Sequence, residues 1–281
     1  MKLCRQNYIK FLILYCKKLF FLIIFLWWFF VIEKREINRK RRNFFFYLEK
    51  LLMKIANKKP KYYFLGNFDF TTPAIYISNH SKATGPIQTE LHFPVDYRCW
   101  GTHEMATTFK KRYNYLVNTF FHVGWKIKSK FICHFFTWIA IPFVTFFYKQ
   151  TKVIPTYQDN RLISTFKESI KVLTEEKESI YIFPEDISNG YYDEITYVHS
   201  GFYILGERCL KKGLDLPIYL MHIQRKKKRV IVDKPIMFSE LAKITKSKDD
   251  ASKMLKNRIN EIAKFSEEQI TEQTVTIATY H

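Results

Sequence analysis

Three short stretches carry side chains able to do chemistry, and each follows an apolar run. The first is Ser78-Asn79-His80-Ser81-Lys82-Ala83-Thr84-Gly85-Pro86, directly after Ala74-Ile75-Tyr76-Ile77. An imidazole at His80 can take a proton from a hydroxyl near neutral pH. A lone His at such a corner is more often structural, because most strand ends carry loops without catalysis. The second stretch is Tyr181-Ile182-Phe183-Pro184-Glu185-Asp186. Pro184 fixes the turn, and two adjacent carboxylates can bind hydroxyls, hold a cation or cap the next helix. The third runs Val153-Ile154-Pro155-Thr156-Tyr157-Gln158-Asp159-Asn160-Arg161. Asp159 is a candidate helix N-cap. Arg161 then falls in the first helical turn, where its charge opposes the helix dipole. That placement points to a bound anion such as phosphate, against the plainer reading of a solvated surface arginine.

These corners need a scaffold that brings strand ends together. Apolar or alternating runs predict strands at 74–78, 96–100, 152–155, 179–183, 216–222 and 229–233. Helical patterns lie between them at about 104–121, 159–176 and 200–212, with a last one near 247–270. Leu162, Phe166, Ile170 and Leu173 keep one helical face apolar. Strands alternating with helices predict an α/β domain with a largely parallel sheet and flanking helices. In such a sheet ligands gather beyond the carboxyl ends of the strands, where all three stretches would sit.

The chain is long enough, at 281 residues, for one sizeable domain plus an anchor. It is 47% hydrophobic and 18% aromatic, which argues against global disorder. Its 27 Phe and 18 Tyr exceed what a small soluble core needs. The net charge of +20 attracts an anionic membrane surface, phosphorylated ligands or nucleic acid. No zinc-finger or RNA-recognition signature is present, so a nucleic-acid partner is not expected.

Residues 11–32 are apolar apart from Lys17 and Lys18, and six basic residues follow between Lys34 and Arg42. We expect residues 1–50 to form a hydrophobic membrane anchor with a basic juxtamembrane segment, and residues 51–281 to form the α/β domain. The anchor is expected as a span or an interfacial helix, with the domain on the cytoplasmic side. A second apolar stretch, 131–148, is interrupted by Pro142 and is expected to be buried or to dip into a monolayer. A crossing there would split the sheet. Five scattered cysteines with no C-x-x-C pair fit reduced thiols, and His103-Glu104 lacks the second histidine of a zinc-protease motif. The run Arg225 to Arg229 reads as a solvated hairpin.

The ordered set Asn79-His80, Arg161, Phe183-Pro184-Glu185 and Leu216-Pro217-Ile218 resembles the glycerolipid acyltransferases of the 1-acylglycerol-3-phosphate acyltransferase type, over about residues 62–238. That family carries Asn-His-x-x-x-x-Asp, a later phosphate-binding Arg, Phe-Pro-Glu-Gly and a Pro-containing apolar strand. Two positions depart from it. Gly85 stands where the family has the Asp, and Asp186 where it has the Gly.

The resemblance implies fatty acyl transfer from an acyl-CoA or acyl-carrier-protein thioester to a hydroxyl of a lysophospholipid or glycerol-phosphate acceptor. It needs no metal or redox cofactor, and its partners are a lipid membrane, the thioester donor and the phosphorylated lipid acceptor. His80 would be the base. Asn79, Arg161, Phe183, Pro184 and Glu185 would bind substrate, Arg161 through acceptor phosphate. With Gly85 lacking a carboxylate, the acid that orients His80 is sought among Glu90, Glu104, Glu185 and Asp186. Asp at position 85 is expected to be tolerated if it faces the imidazole. The alternative is a catalytically reduced, lipid-binding membrane protein of the same fold.

Overall fold

The computed structural model describes residues 44–81, 84–185 and 194–274. The expected anchor at 11–32, the basic cluster at 34–42 and Asp186 lie outside the described residues.

Three strands share one sequence idea. Ile75-Tyr76-Ile77 in β2 (Ile75–Ser78), Ile180-Tyr181-Ile182 in β5 (Ser179–Ile182) and Ile218-Tyr219-Leu220 in β6 (Pro217–Gln224) alternate aliphatic and aromatic residues. They pair in register, with Tyr76 opposite both Tyr181 and Tyr219. Successive side chains on a strand point to opposite faces, so register alone makes one face of the sheet aliphatic and the other aromatic. On the aromatic face the Tyr76 ring stacks 5.3 Å from Tyr219 and 6.1 Å from Tyr181. Phe64, Phe68 and Phe93 pack around this row.

The sheet is completed by β1 (Lys61–Phe64), β3 (Tyr97–Thr102), β4 (Ile154–Thr156), β7 (Arg229–Val232) and β8 (Ile236–Met237). Its order is β1-β7-β6-β2-β5-β3-β4, with β8 also on β6. From β6 to β4 every pairing is parallel. β7 and β8 run antiparallel to β6. The expected α/β class and largely parallel sheet are therefore present, with helices flanking it.

Helices α1 (Phe44–Ala56), α2 (Thr84–His92) and α3 (His103–Ala106) come first. Next are α4 (Phe109–Tyr115, continuing as a π-helix to Gly124) and α5 (Lys130–Gln150). Then follow α6 (Leu162–Lys171, continuing as a π-helix to Glu176), α7 (Gly201–Leu210), α8 (Phe238–Ile244), α9 (Lys248–Ile262) and α10 (Glu267–Gln273). The aliphatic face of the sheet is covered by Phe166 and Leu173, by Phe202 and Leu205 of α7, and by Leu255 and Ile259 of α9.

Several expectations change. Pro142 does not end the helix at 131–148; it removes one backbone donor and α5 runs through it. The expected helix at 247–270 breaks at residues 263–266, where Ser266 starts α10 with a capping box. Arg229 is not part of a solvated run. It is buried on β7 and donates to Gln224 Oε1 at 2.6 Å.

Candidate active site

β2 and β5 are neighbours at the centre of the parallel part of the sheet, so the corners after them emerge side by side at the carboxyl edge. Past Ser78, Asn79 is buried and its side-chain amide acts as one more rung of the sheet. Ile223 N–H donates to Asn79 Oδ1 at 2.7 Å, and Asn79 Nδ2 donates to Ile223 C=O at 3.2 Å. Asn79 thus ties the end of β2 to β6. Its amide oxygen and one amide N–H are engaged with the Ile223 backbone, so Asn79 at least positions the corner that carries His80.

His80 follows, and the chain then turns back sharply. Ser81 takes a left-handed conformation (φ 42°), and Gly85 N–H returns to His80 C=O at 3.0 Å. A Cβ on Gly85 would stand 2.3 Å from that carbonyl oxygen. Position 85 therefore holds glycine because the backbone passes too close for any side chain. This corrects the expectation that an Asp there would be tolerated: a side chain would push the His80 turn apart before reaching the imidazole.

From β5, Phe183 sets its ring 4.9 Å from the His80 ring. Pro184 is buried, and its C=O accepts His199 N–H at 3.0 Å, which pins the corner. Glu185 accepts the backbone N–H of His80 in a short hydrogen bond. Burial pushes the Glu185 carboxyl up to about 7, partly offset by that hydrogen bond. The two motifs thus meet: His80, Phe183 and Glu185 form one centre.

The other candidates sit elsewhere. Glu90 on α2 pairs with Lys50 at 3.2 Å and accepts from Tyr97 Oη at 3.4 Å. Glu104 accepts from Thr102 Oγ1 and faces His103 Nδ1 at 3.1 Å. Glu185 is the candidate acid that reaches the His80 corner, through the backbone N–H of His80.

Arg161 stands at the N-cap of α6, one residue before the expected first turn. The anion beside it is internal: Asp159 binds its guanidinium at 2.6–3.0 Å, and both side chains are 53% exposed. These hydrogen bonds hold the Asp159 carboxyl down at about 2. The guanidinium also lies 4.4 Å over the Tyr157 ring, whose other neighbour is the His103 ring at 5.0 Å. Residues 102–104 and 157–161 therefore make a second, polar cluster beyond β3 and β4. Three strand spacings, about 14 Å, separate β4 from β2. Sequence reading missed that His103 and Tyr157 belong with Arg161. The visible signal was that both follow short strands.

Among the described residues no group of three or more His, Cys, Asp or Glu is placed to hold a metal ion. No protein-family model matches the chain, and no curated protein matches it.

Proposed function

We propose that the chain is an O-acyltransferase that moves a fatty acyl group from a thioester to the hydroxyl of a phosphorylated lipid acceptor, with His80 as the base. The observation that carries this reading is the meeting of two strand-end motifs: His80 after β2, held through its backbone by Glu185 of the Phe-Pro-Glu corner after β5. His80 takes the hydroxyl proton while the hydroxyl oxygen attacks the thioester carbonyl. The carbon–sulfur bond then breaks, and the thiolate leaves with the proton from the imidazolium. Glu185 and Asn79 keep the imidazole on station. Arg161, freed from Asp159, binds the acceptor phosphate. The donor is an acyl-CoA or acyl-carrier-protein thioester, and the chain works at a membrane, tethered by residues 11–32.

The test is thioester-dependent transfer by the full chain in lipid vesicles, with a set of lysophospholipids and glycerol phosphate as acceptors. The expected result is transfer by the wild type and none above background by His80→Ala. Equal transfer by both would remove His80 from the chemistry. One observation favours a second reading, a lipid-binding protein of the same fold: the position that would supply the orienting acid has no room for a side chain. Tight lysolipid binding by a wild type that transfers no acyl group from any donor would select it.

A further inference from the structure

Helix α5 is built inside out. At four-residue spacing Cys133, Thr137, Ile141 and Thr145 are buried, and Thr145 Oγ1 accepts from the buried Arg112 guanidinium at 2.9 Å. On the other side Phe131 is 81% exposed and Trp138 64%, with Phe135 between them. A helix on a soluble domain turns its bulky apolar side inward and its small and polar side outward; this one does the reverse. Beside it packs α1, which exposes Leu51, Leu52 and Ile55, the last at 73%. Exposed large apolar side chains thus stand on two helices that touch each other, the kind of surface that marks a protein or membrane contact.

The charge around this face has one sign. Between Glu104 and Asp159 the sequence has eight Lys or Arg and no Asp or Glu. Lys126, Lys128 and Lys130 are exposed directly ahead of Phe131, and Lys110 and Lys111 are exposed on α4. Two copies meeting through this face would oppose like charges. An anionic lipid surface neutralises them and takes the aromatic side chains at headgroup depth.

We propose that α1 and the N-terminal half of α5 form a docking face that seats in the headgroup–acyl boundary of an anionic monolayer. The helix lies in the plane and does not cross. β3 before it and β4 after it are paired in parallel, Trp100 opposite Ile154, so both ends of α5 return to one sheet. The buried stripe also continues to Gln150, leaving no full lipid-facing circumference. α1 in turn rests on α2 through Lys50–Glu90 and through His92 Nε2 at 2.9 Å from Asn57 C=O. Because α2 follows the His80 turn directly, docking presents the site corner to the lipid surface. The proposal stands whether or not the reaction is acyl transfer.

The test uses the full chain with vesicles of equimolar phosphatidylcholine and phosphatidylglycerol carrying bromine on the acyl chains. Trp138→Phe, a conservative change at an exposed position, isolates the emission of one tryptophan of five; Trp27 and Trp28 contribute equally to both proteins. The expected result is that the wild type loses Trp138 emission to the brominated lipid. That loss should fall several-fold in phosphatidylcholine alone or at high salt, where the lysines are screened. Identical quenching of wild type and Trp138→Phe would overturn the proposal, whether Trp138 stays open to aqueous acrylamide or is shielded by a second copy or by residues 11–32. Quenching insensitive to phosphatidylglycerol and to salt would overturn the anionic partner.

Discussion

The carboxyl edge of the sheet carries two clusters that look alike in composition and differ in everything else. Each pairs a histidine with a glutamate after a parallel strand: His80 with Glu185 at the centre, His103 with Glu104 near the edge. At the centre the carboxyl is half-buried, and partial loss of water lifts it to about 7 by disfavouring its charged form. Near the edge the Asp159 carboxyl is exposed and held at about 2, because a guanidinium binds it. A half-buried centre whose carboxyl is raised toward neutrality is the kind of environment that suits acid–base chemistry. An exposed, permanently charged cluster suits holding an anion. Place in the strand order, more than residue type, sets these two environments apart.

The comparison breaks most directly if the two histidines are exchanged in role. His80→Ala should lower kcat/KM for acyl transfer by roughly 10²–10⁴-fold, the usual worth of a positioned base. His103→Ala should change it only a few-fold. Equal losses in the two variants, measured with saturating thioester and varied acceptor, would erase the distinction between centre and edge.

Next in size is Gly85. Gly85→Ala and Gly85→Asp both place a Cβ against the His80 carbonyl. Overpacking of this kind typically costs about 1–3 kcal/mol, readable as a lowered urea midpoint. Activity should fall in both variants, with Asp no better than Ala. Higher activity in Gly85→Asp than in the wild type would mean that the turn relaxes and that the missing acid is what limits the enzyme.

That residue also marks how far the sequence was legible. The apolar runs at 74–78, 179–183 and 216–222 announced the central strands, and their order placed His80 and Glu185 at one edge. Gly85-Pro86 could be read as a gap in a motif, but not as a close backbone approach, because the clash depends on a carbonyl five residues back. Asn79 read as a site residue because its partner, Ile223, lies 144 residues away. Lys61–Phe64 gave no strand signal: it is a short edge strand whose partner, β7, lies far along the chain. The inverted burial of α5 was equally hidden. Composition made 131–148 one largely apolar stretch, and packing is what puts its Cys133, Thr137 and Thr145 stripe inside and its aromatic one outside.

A smaller effect should follow the charge of Glu185. Burial raises its pKa from the ordinary 4.5 to about 7 in the folded chain, so the folded state holds the proton more tightly. The group's contribution to stability is therefore complete below about pH 4.5 and is lost as pH rises through about 7. The loss is on the order of 3 kcal/mol at most. In Glu185→Gln that slope should flatten. Transfer activity should keep the pH dependence that an imidazole base imposes, lose the part set by the Glu185 carboxyl, and stay within about tenfold of the wild type, because the amide oxygen still accepts the His80 N–H. An unchanged pH profile in Glu185→Gln would show that the carboxyl does not titrate at the centre.

The smallest effect belongs to the edge cluster, and it tests whether Arg161 binds at all. In the structure the guanidinium is occupied by Asp159 and half exposed, so an acceptor phosphate must compete with an internal carboxylate and with water. An exposed charge pair is worth little net, about 0–1 kcal/mol, so this competition is open to a dianionic phosphate. Arg161→Ala should then raise the acceptor KM several-fold with kcat nearly unchanged, the signature of binding shared by ground and transition states. Arg161→Lys should recover only part, because an ammonium cannot reproduce the two-pronged guanidinium. Asp159→Asn should act the opposite way and lower KM, because it releases the guanidinium while keeping a side chain able to accept Arg161 N–H. Were Arg161→Ala to leave KM unchanged while Asp159→Asn weakens the start of α6, the pair would be a helix cap and the phosphate would have to be held elsewhere along the carboxyl edge.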